Sequence, residues 1–218
     1  MKVRVLSALL LIAIIALIPL SVCSCNRSYN KETVINAAKE LLPKAAVLNS
    51  IYYGNGISYI SSGFSDGNYR EADPVHLELL GIKTVSDIRS RTLEVFSTQY
   101  AENLFEGYLE SYEAEGTVWN YARYVQSGDE LTGSILLVNK DHESIFDDRL
   151  TYHLDTVTDV ESKGDLVKMS VEITVEDEEG NTQHRAISFY MYEERIGWRI
   201  SSPCISNYNK YLDNELLK

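Results

Sequence analysis

Cysteine is scarce in this chain. Its 218 residues include only three. They are Cys23, Cys25 and Cys204, two in one short stretch and one far downstream. That spacing provides neither a disulfide framework nor the ligand set of a structural zinc site. Cys204 follows Pro203 beside a predicted strand and reads as a small buried hydrophobe. There are four histidines, at positions 76, 142, 153 and 184, and their scatter makes no metal constellation. Cations are also in short supply: 20 Lys and Arg face 32 Asp and Glu, a net charge of −12. Nucleic acid and anionic lipid both need a cationic face, so neither is an expected partner. The charge instead suits solubility at a crowded, anionic cell surface. No Gly-x-Ser-x-Gly, Walker-type loop or dinucleotide fingerprint occurs, and no cofactor is implied. Asp177-Glu178-Glu179-Gly180-Asn181 lacks the alternating oxygens and distal Glu of a calcium loop and reads as an acidic hairpin turn. No internal repeat or low-complexity block is present.

What the chain has in abundance is an apolar start. Met1-Lys2-Val3-Arg4 is a short positive region, and Val5 to Val22 is almost unbroken Leu, Ile and Ala. The run closes on Leu20-Ser21-Val22-Cys23-Ser24-Cys25 and then turns polar. This is the layout of a secretory leader with cysteine at its cleavage region. It resembles the bacterial lipobox, which places a branched aliphatic three residues before the cysteine and a small residue directly before it. Cys25 has Val22 and Ser24 there; Cys23, the alternative, has Leu20 and the less suitable Val22. The resemblance implies a signal peptide over 1–24, acylation of Cys25 (palmitate among the chains) and a short tether over 25–30. A domain would follow over 31–206 and a polar tail over 207–218. The chain is then expected at the extracytoplasmic face of the cell membrane, held there by lipid. A bridge between Cys25 and Cys204 is open only if Cys23 is the acylated residue. An uncleaved anchor, or cleavage to a free secreted form, are the other two readings of the leader.

Downstream, the hydrophobic period is first helical. Val34, Ala38, Leu41, Leu42, Ala45, Leu48 and Tyr52 make one apolar face, interrupted by Pro43, which should kink or split the helix. Residues 54–83 hold five glycines interleaved with Tyr59, Phe64 and Tyr69, and show no clean period. A segment this long is expected to be a binding loop or lid, with Val75–Leu80 as a short strand or helical turn. Thr84-Val85-Ser86-Asp87 opens a second helix like a capping box. Ser97 caps a third, carrying Tyr100, Leu104, Tyr108 and Tyr112 and closed by Gly116. Thereafter the pattern is that of strands. Val167, Met169, Val171, Ile173 and Val175 alternate with polar residues, as do Ile187, Phe189 and Met191. The expectation is α+β: three N-terminal helices on a curved antiparallel sheet of about five to six strands.

This order resembles the nuclear-transport-factor-2-like superfamily, a cone of three helices against a curved sheet. The resemblance is carried by the closing hairpin, Ile187–Tyr192 followed by Gly197-Trp198-Arg199-Ile200. It would cover roughly Lys31 to Ser206, and the chain is similar in plan to lipoproteins of monoderm bacteria. The superfamily mixes enzymes with binding modules, so the resemblance implies a fold and not an activity. Its enzymes carry a carboxylate or histidine in the pocket, facing an oxyanion donor such as Tyr; here the candidates are His153 and Asp155, at i and i+2 on one face of a strand, and Tyr152 on the opposite face. The function expected is non-catalytic binding of a ligand or protein at the cell envelope. A small pocket enzyme and a regulator of cell-wall hydrolases are the alternatives. Tyr59, Phe64, Tyr69, Tyr190 and Tyr192 are the expected contact residues, because tyrosine joins contact area to a hydrogen-bonding tip.

Overall fold

Asn30 starts the first helix by accepting hydrogen bonds from the backbone N–H groups of Glu32 and Thr33. In the computed structural model, which describes residues 29–114, 117–128, 134–144, 150–176 and 180–205, this helix, α1, spans Lys31–Tyr53. It runs on through Pro43 rather than splitting. Its buried stripe is the one the period predicts, extended by Asn49 and Ile51. The leader with Cys23 and Cys25, nearly all of the tether, Gly116 and the tail over 207–218 lie outside the described residues.

The segment after α1 is more regular than its glycines suggest. It holds β1 (Ser65–Asp66), β2 (Tyr69–Glu71) and a seven-residue helix α2 (Pro74–Leu80). Then come α3 (Val85–Val95) and α4 (Thr98–Tyr108). The Thr84–Asp87 capping box is present in full. α4 ends at Tyr108, not Gly116, and Tyr112 belongs to strand β3 (Tyr112–Ala114), which pairs with β4 (Thr117–Asn120). β5 (Tyr124–Ser127), β6 (Ile135–Asn139), β7 (Leu150–Lys163), β8 (Leu166–Glu176), β9 (Thr182–Glu194) and β10 (Gly197–Ile200) follow.

The class is α+β, but the expected single sheet is not formed. Among the described residues there are two four-stranded antiparallel sheets, ordered β1-β2-β6-β5 and β10-β9-β8-β7, and the β3–β4 hairpin. Nor do all helices precede the strands, since β1 and β2 separate α1 from α2. The physical reason is edge competition. Tyr69–Glu71 pairs with β6, occupying the edge that a continuous meander would have offered to β7.

The β7–β10 sheet buries one face under α1, which lies across β7 and β10. Val167, Met169, Val171, Ile173, Phe189, Met191, Trp198 and Ile200 point inward, and Val34, Ala38, Leu42 and Ala45 meet them. Each full burial of such a branched side chain is worth about 1.5–3 kcal/mol. Glu172, Ser188 and Tyr190 point outward to solvent. The α3–α4 turn closes the β10 edge. Phe96 bridges to Ile200 in parallel, and Ser97 N–H donates to Ile200 O at 2.8 Å.

A buried arginine ties the β1-β2-β6-β5 sheet to the end of α1. Arg123, 3 % exposed, donates from Nη1 to Tyr52 O at 2.8 Å and from Nη2 to Gly54 O at 2.6 Å. It therefore caps the carbonyl end of α1, where the helix dipole favours a cation. Tyr124, next in sequence, donates to Ile51 O at 2.8 Å and accepts from Ile57 N–H at 3.1 Å. Gly56, at φ +72, is required here: a Cβ would overlap the Arg123 guanidinium and the Tyr124 hydroxyl.

Candidate functional site

A cleft of about 600 Å³ opens where β2 leaves its sheet. β2 stays paired with β6 as far as Glu71 opposite Leu137, and Ala72 N–H donates to Leu136 O at 2.9 Å. Asp73 then caps α2 and Pro74 occupies its first turn, so the chain swings away while β6 continues to Ile135 and Ser134. The gap between α2 and β6 is the cleft. Its apolar surface comes from Ala72, Leu77, Ile82, Ile135 and Leu136, and charge from Glu71, Glu78 and Lys83.

Local chemistry holds this wall in place. Gly81 ends α2 in the left-handed conformation at φ +62. Arg91 of α3 donates to the carbonyls of Leu80 and Gly81 at 2.6 and 2.8 Å, completing the cap. At the other end His76 Nδ1 accepts from Ser58 N–H at 3.0 Å, which leaves the ring proton on Nε2. Seven residues are too few to bury a whole apolar face. Val75 and Leu79 are 65 % and 81 % exposed on the outer side of α2.

None of the contact residues singled out from sequence lines this cleft. Tyr59 bridges to Ala72 and is exposed, as is Phe64. Tyr69 is half-buried, and its hydroxyl donates to Ala122 O at 2.8 Å. Tyr190 lies exposed on the outer face of the β7–β10 sheet. Tyr192 lines a second, smaller cleft of about 420 Å³ with Thr98, Leu166 and Glu194. There the Glu194 carboxylate accepts from Thr98 N–H at 2.6 Å, at the start of α4. Segment 54–83 supplies part of the cleft lining, but through Glu71, Ala72, Leu77 and Ile82 rather than through Tyr59, Phe64 and Tyr69. Leu77 and Ile82, at helix-and-cap positions after Asp73-Pro74, were the available signal.

His153 and Asp155 do not form a pair in a pocket. Both are on the outer face of the sheet, Asp155 exposed and His153 half-buried. His153 Nε2 lies 2.7 Å from Thr174 Oγ1, and that hydroxyl is 3.1 Å from His184 Nδ1. His184 is therefore the residue brought to His153. Among the described residues, the side chains beneath α1 are buried and packed against one another. Its polar groups are structural. Asn49 Nδ2 donates to Cys204 Sγ at 3.2 Å, and the Tyr152 hydroxyl donates to Cys204 O. Burial pushes the Cys204 thiol up, away from the reactive thiolate. His142 packs edge-on against Tyr108 at 5.4 Å; burial first, and Arg123 second, lower its pKa to about 4.

Among the described residues no helix is long and apolar enough to cross a membrane. Comparison with protein-family models, with curated proteins and with solved structures finds no match to this chain.

Proposed function

We propose that this chain is a lipid-anchored, extracytoplasmic binding module that holds an amphipathic ligand in the cleft between α2 and β6. The observation that carries the reading is the contrast between that open cleft and the packed interior under α1. The cleft has the makeup of a recognition site, an apolar floor with a few charged groups at its rim. Glu71, Glu78 and Lys83 supply its charge, and we read them as groups that orient a bound ligand. On this reading, α1 laid on the β7–β10 sheet is the part of the chain that resembles the nuclear-transport-factor-2-like plan.

The anchor is supported by the leader, with Cys25 as the acylated residue. Tyr29 is pinned to the body: its hydroxyl donates to Asp159 Oδ2 at 3.1 Å, and its ring meets Trp198 edge-on at 6.1 Å. The four residue-to-residue steps from Cys25 to Tyr29 reach at most about 14 Å. The Tyr29–Asp159 end of the domain would therefore be held close to the bilayer.

Two experiments test this. Metabolic palmitate labelling should be lost in Cys25→Ala and kept in Cys23→Ala; labelling that survives both changes removes the anchor. For the cleft, methyl-labelled full-length chain is titrated with a library of amphipathic fragments. Shifts concentrated at Leu77, Ile82, Ile135 and Leu136 support the site. Shifts confined to the tyrosine-bearing outer face, or no shifts at all, would contradict it.

A further inference from the structure

The outer face of the β7–β10 sheet carries a second constellation, unrelated to the cleft. Imidazoles from two strands, His153 on β7 and His184 on β9, converge on one point, the Thr174 hydroxyl of the strand between them. Their nitrogens are 2.7 and 3.1 Å from that oxygen, and the ring centroids are 5.9 Å apart. The strand register adds a carboxylate. Glu172 is directly opposite His153 on one side and opposite Ala186 on the other, while Thr174 is opposite His184. Residues directly opposite in an antiparallel pair have Cβ atoms about 4.5–5.5 Å apart, with diagonal neighbours still within side-chain reach. Glu172 therefore adjoins His153 and is diagonal to His184. The remaining corner, Ala186, offers only a methyl group and leaves Glu172 room to turn inward.

The backbone under these residues is shaped, not merely regular. A bulge interrupts the β7–β8 register between His153 and Thr158. The Thr156 hydroxyl donates to His153 O at 2.7 Å and accepts from Glu172 N–H at 2.9 Å. One hydroxyl thus ties together the main chains of both residues. Bulges of this kind re-aim side chains and recur beside functional sites.

We propose that His153 and His184, completed by Glu172, form a surface site for a divalent transition metal of the imidazole-binding class, zinc or copper(II). Zn–N bonds are about 2.0–2.1 Å, and Thr174 Cβ bars an ion from the hydroxyl's own position, so both imidazoles have to turn off the hydroxyl toward an ion seated further out from the sheet. Among the described residues no three such side chains converge in the rotamers seen, and Glu172 joins by rotation about its side-chain bonds. Two imidazoles and one carboxylate leave positions open to water or a partner's ligand, and copper(II) is expected to bind more tightly than zinc.

The test is calorimetric titration of the full-length, tag-free chain in detergent with Zn(II), in millimolar magnesium to occupy the acidic surface. The proposal predicts one ion per chain at micromolar affinity, weakened at least tenfold by His153→Gln and by His184→Gln. These variants keep a hydrogen-bonding group for Thr174, and matching thermal midpoints check that they fold. Glu172→Gln should weaken binding severalfold, while Thr174→Val and His76→Gln should leave it within twofold. No saturable binding, binding indifferent to both histidine changes, or a loss in His76→Gln equal to theirs would each overturn it.

Discussion

The two four-stranded sheets are built to different standards. In β7–β10 three of the four strands run to 11 residues or more, alternation is clean along β8, and α1 covers the inner face. In β1-β2-β6-β5 two of the strands are only two and three residues long, and the covering helix α2 is a seven-residue turn that leaves apolar side chains in solvent. Strand length sets the difference. A long alternating strand presents enough apolar surface to be sealed by a single helix, whereas a three-residue strand ends before its neighbour does and leaves a cleft. The first sheet supplies stability and the second supplies access.

Substitutions should separate the two halves, most strongly at the centre of the sealed one. Val171→Asp places an unpaired charge under α1 and should cost several kcal/mol, enough to unfold the domain in a urea titration. Glu172→Lys, one residue on and facing solvent, should stay within about 0.5 kcal/mol. Equal tolerance of the two would dissolve the comparison. Arg123 joins the halves. Arg123→Met leaves the carbonyls of Tyr52 and Gly54 unsatisfied in the interior and should lower stability by roughly 2–4 kcal/mol.

Acid should act through His142. Its pKa is about 4 in the folded chain against an ordinary 6.5, so between those values the unfolded chain takes up a proton that the folded chain does not. Stability is therefore full above about pH 6.5 and declines as the pH falls toward 4, by about 1–2 kcal/mol once partial exposure is discounted. Asp87 and Asp159, held below the usual carboxylate range by hydrogen bonds that outweigh burial, lose their contribution at lower pH. His142→Gln should flatten the upper part of the acid profile measured by chemical denaturation. The smallest effect belongs to the open half. Leu79→Ser, on the exposed side of α2, should change stability by less than about 0.5 kcal/mol.

Legibility followed the same division. α1, the capping box of α3 and the inward face of β8 and β9 could be read from periodicity, because there burial and period coincide. Tyr69–Glu71 could not: three residues carry no period, and their partner Leu137–Asn139 is distant in sequence. Missing that pairing produced the single-sheet expectation. The end of α4 was misplaced because Tyr112 continues the helical spacing of Tyr108 while in fact starting β3. The meeting of His153 with His184 was readable in principle. Counting back from the turn predicted over 178–181 puts Thr174 opposite His184, the register the structure shows, and His153 falls diagonal to Thr174 one strand over. The cleft was half legible: its segment stood out by length and glycine content, but its lining depends on where β2 ends.

Hydrogen exchange on the full-length chain, alone and with envelope extract, tests most directly whether the open half is the binding half. The account predicts fast exchange over 74–82 and 134–137 in the isolated chain, slowed by the extract, with β8 and β9 slow throughout. Uniformly slow exchange that the extract leaves unchanged, or protection appearing only around Tyr190 and Tyr192, would contradict it.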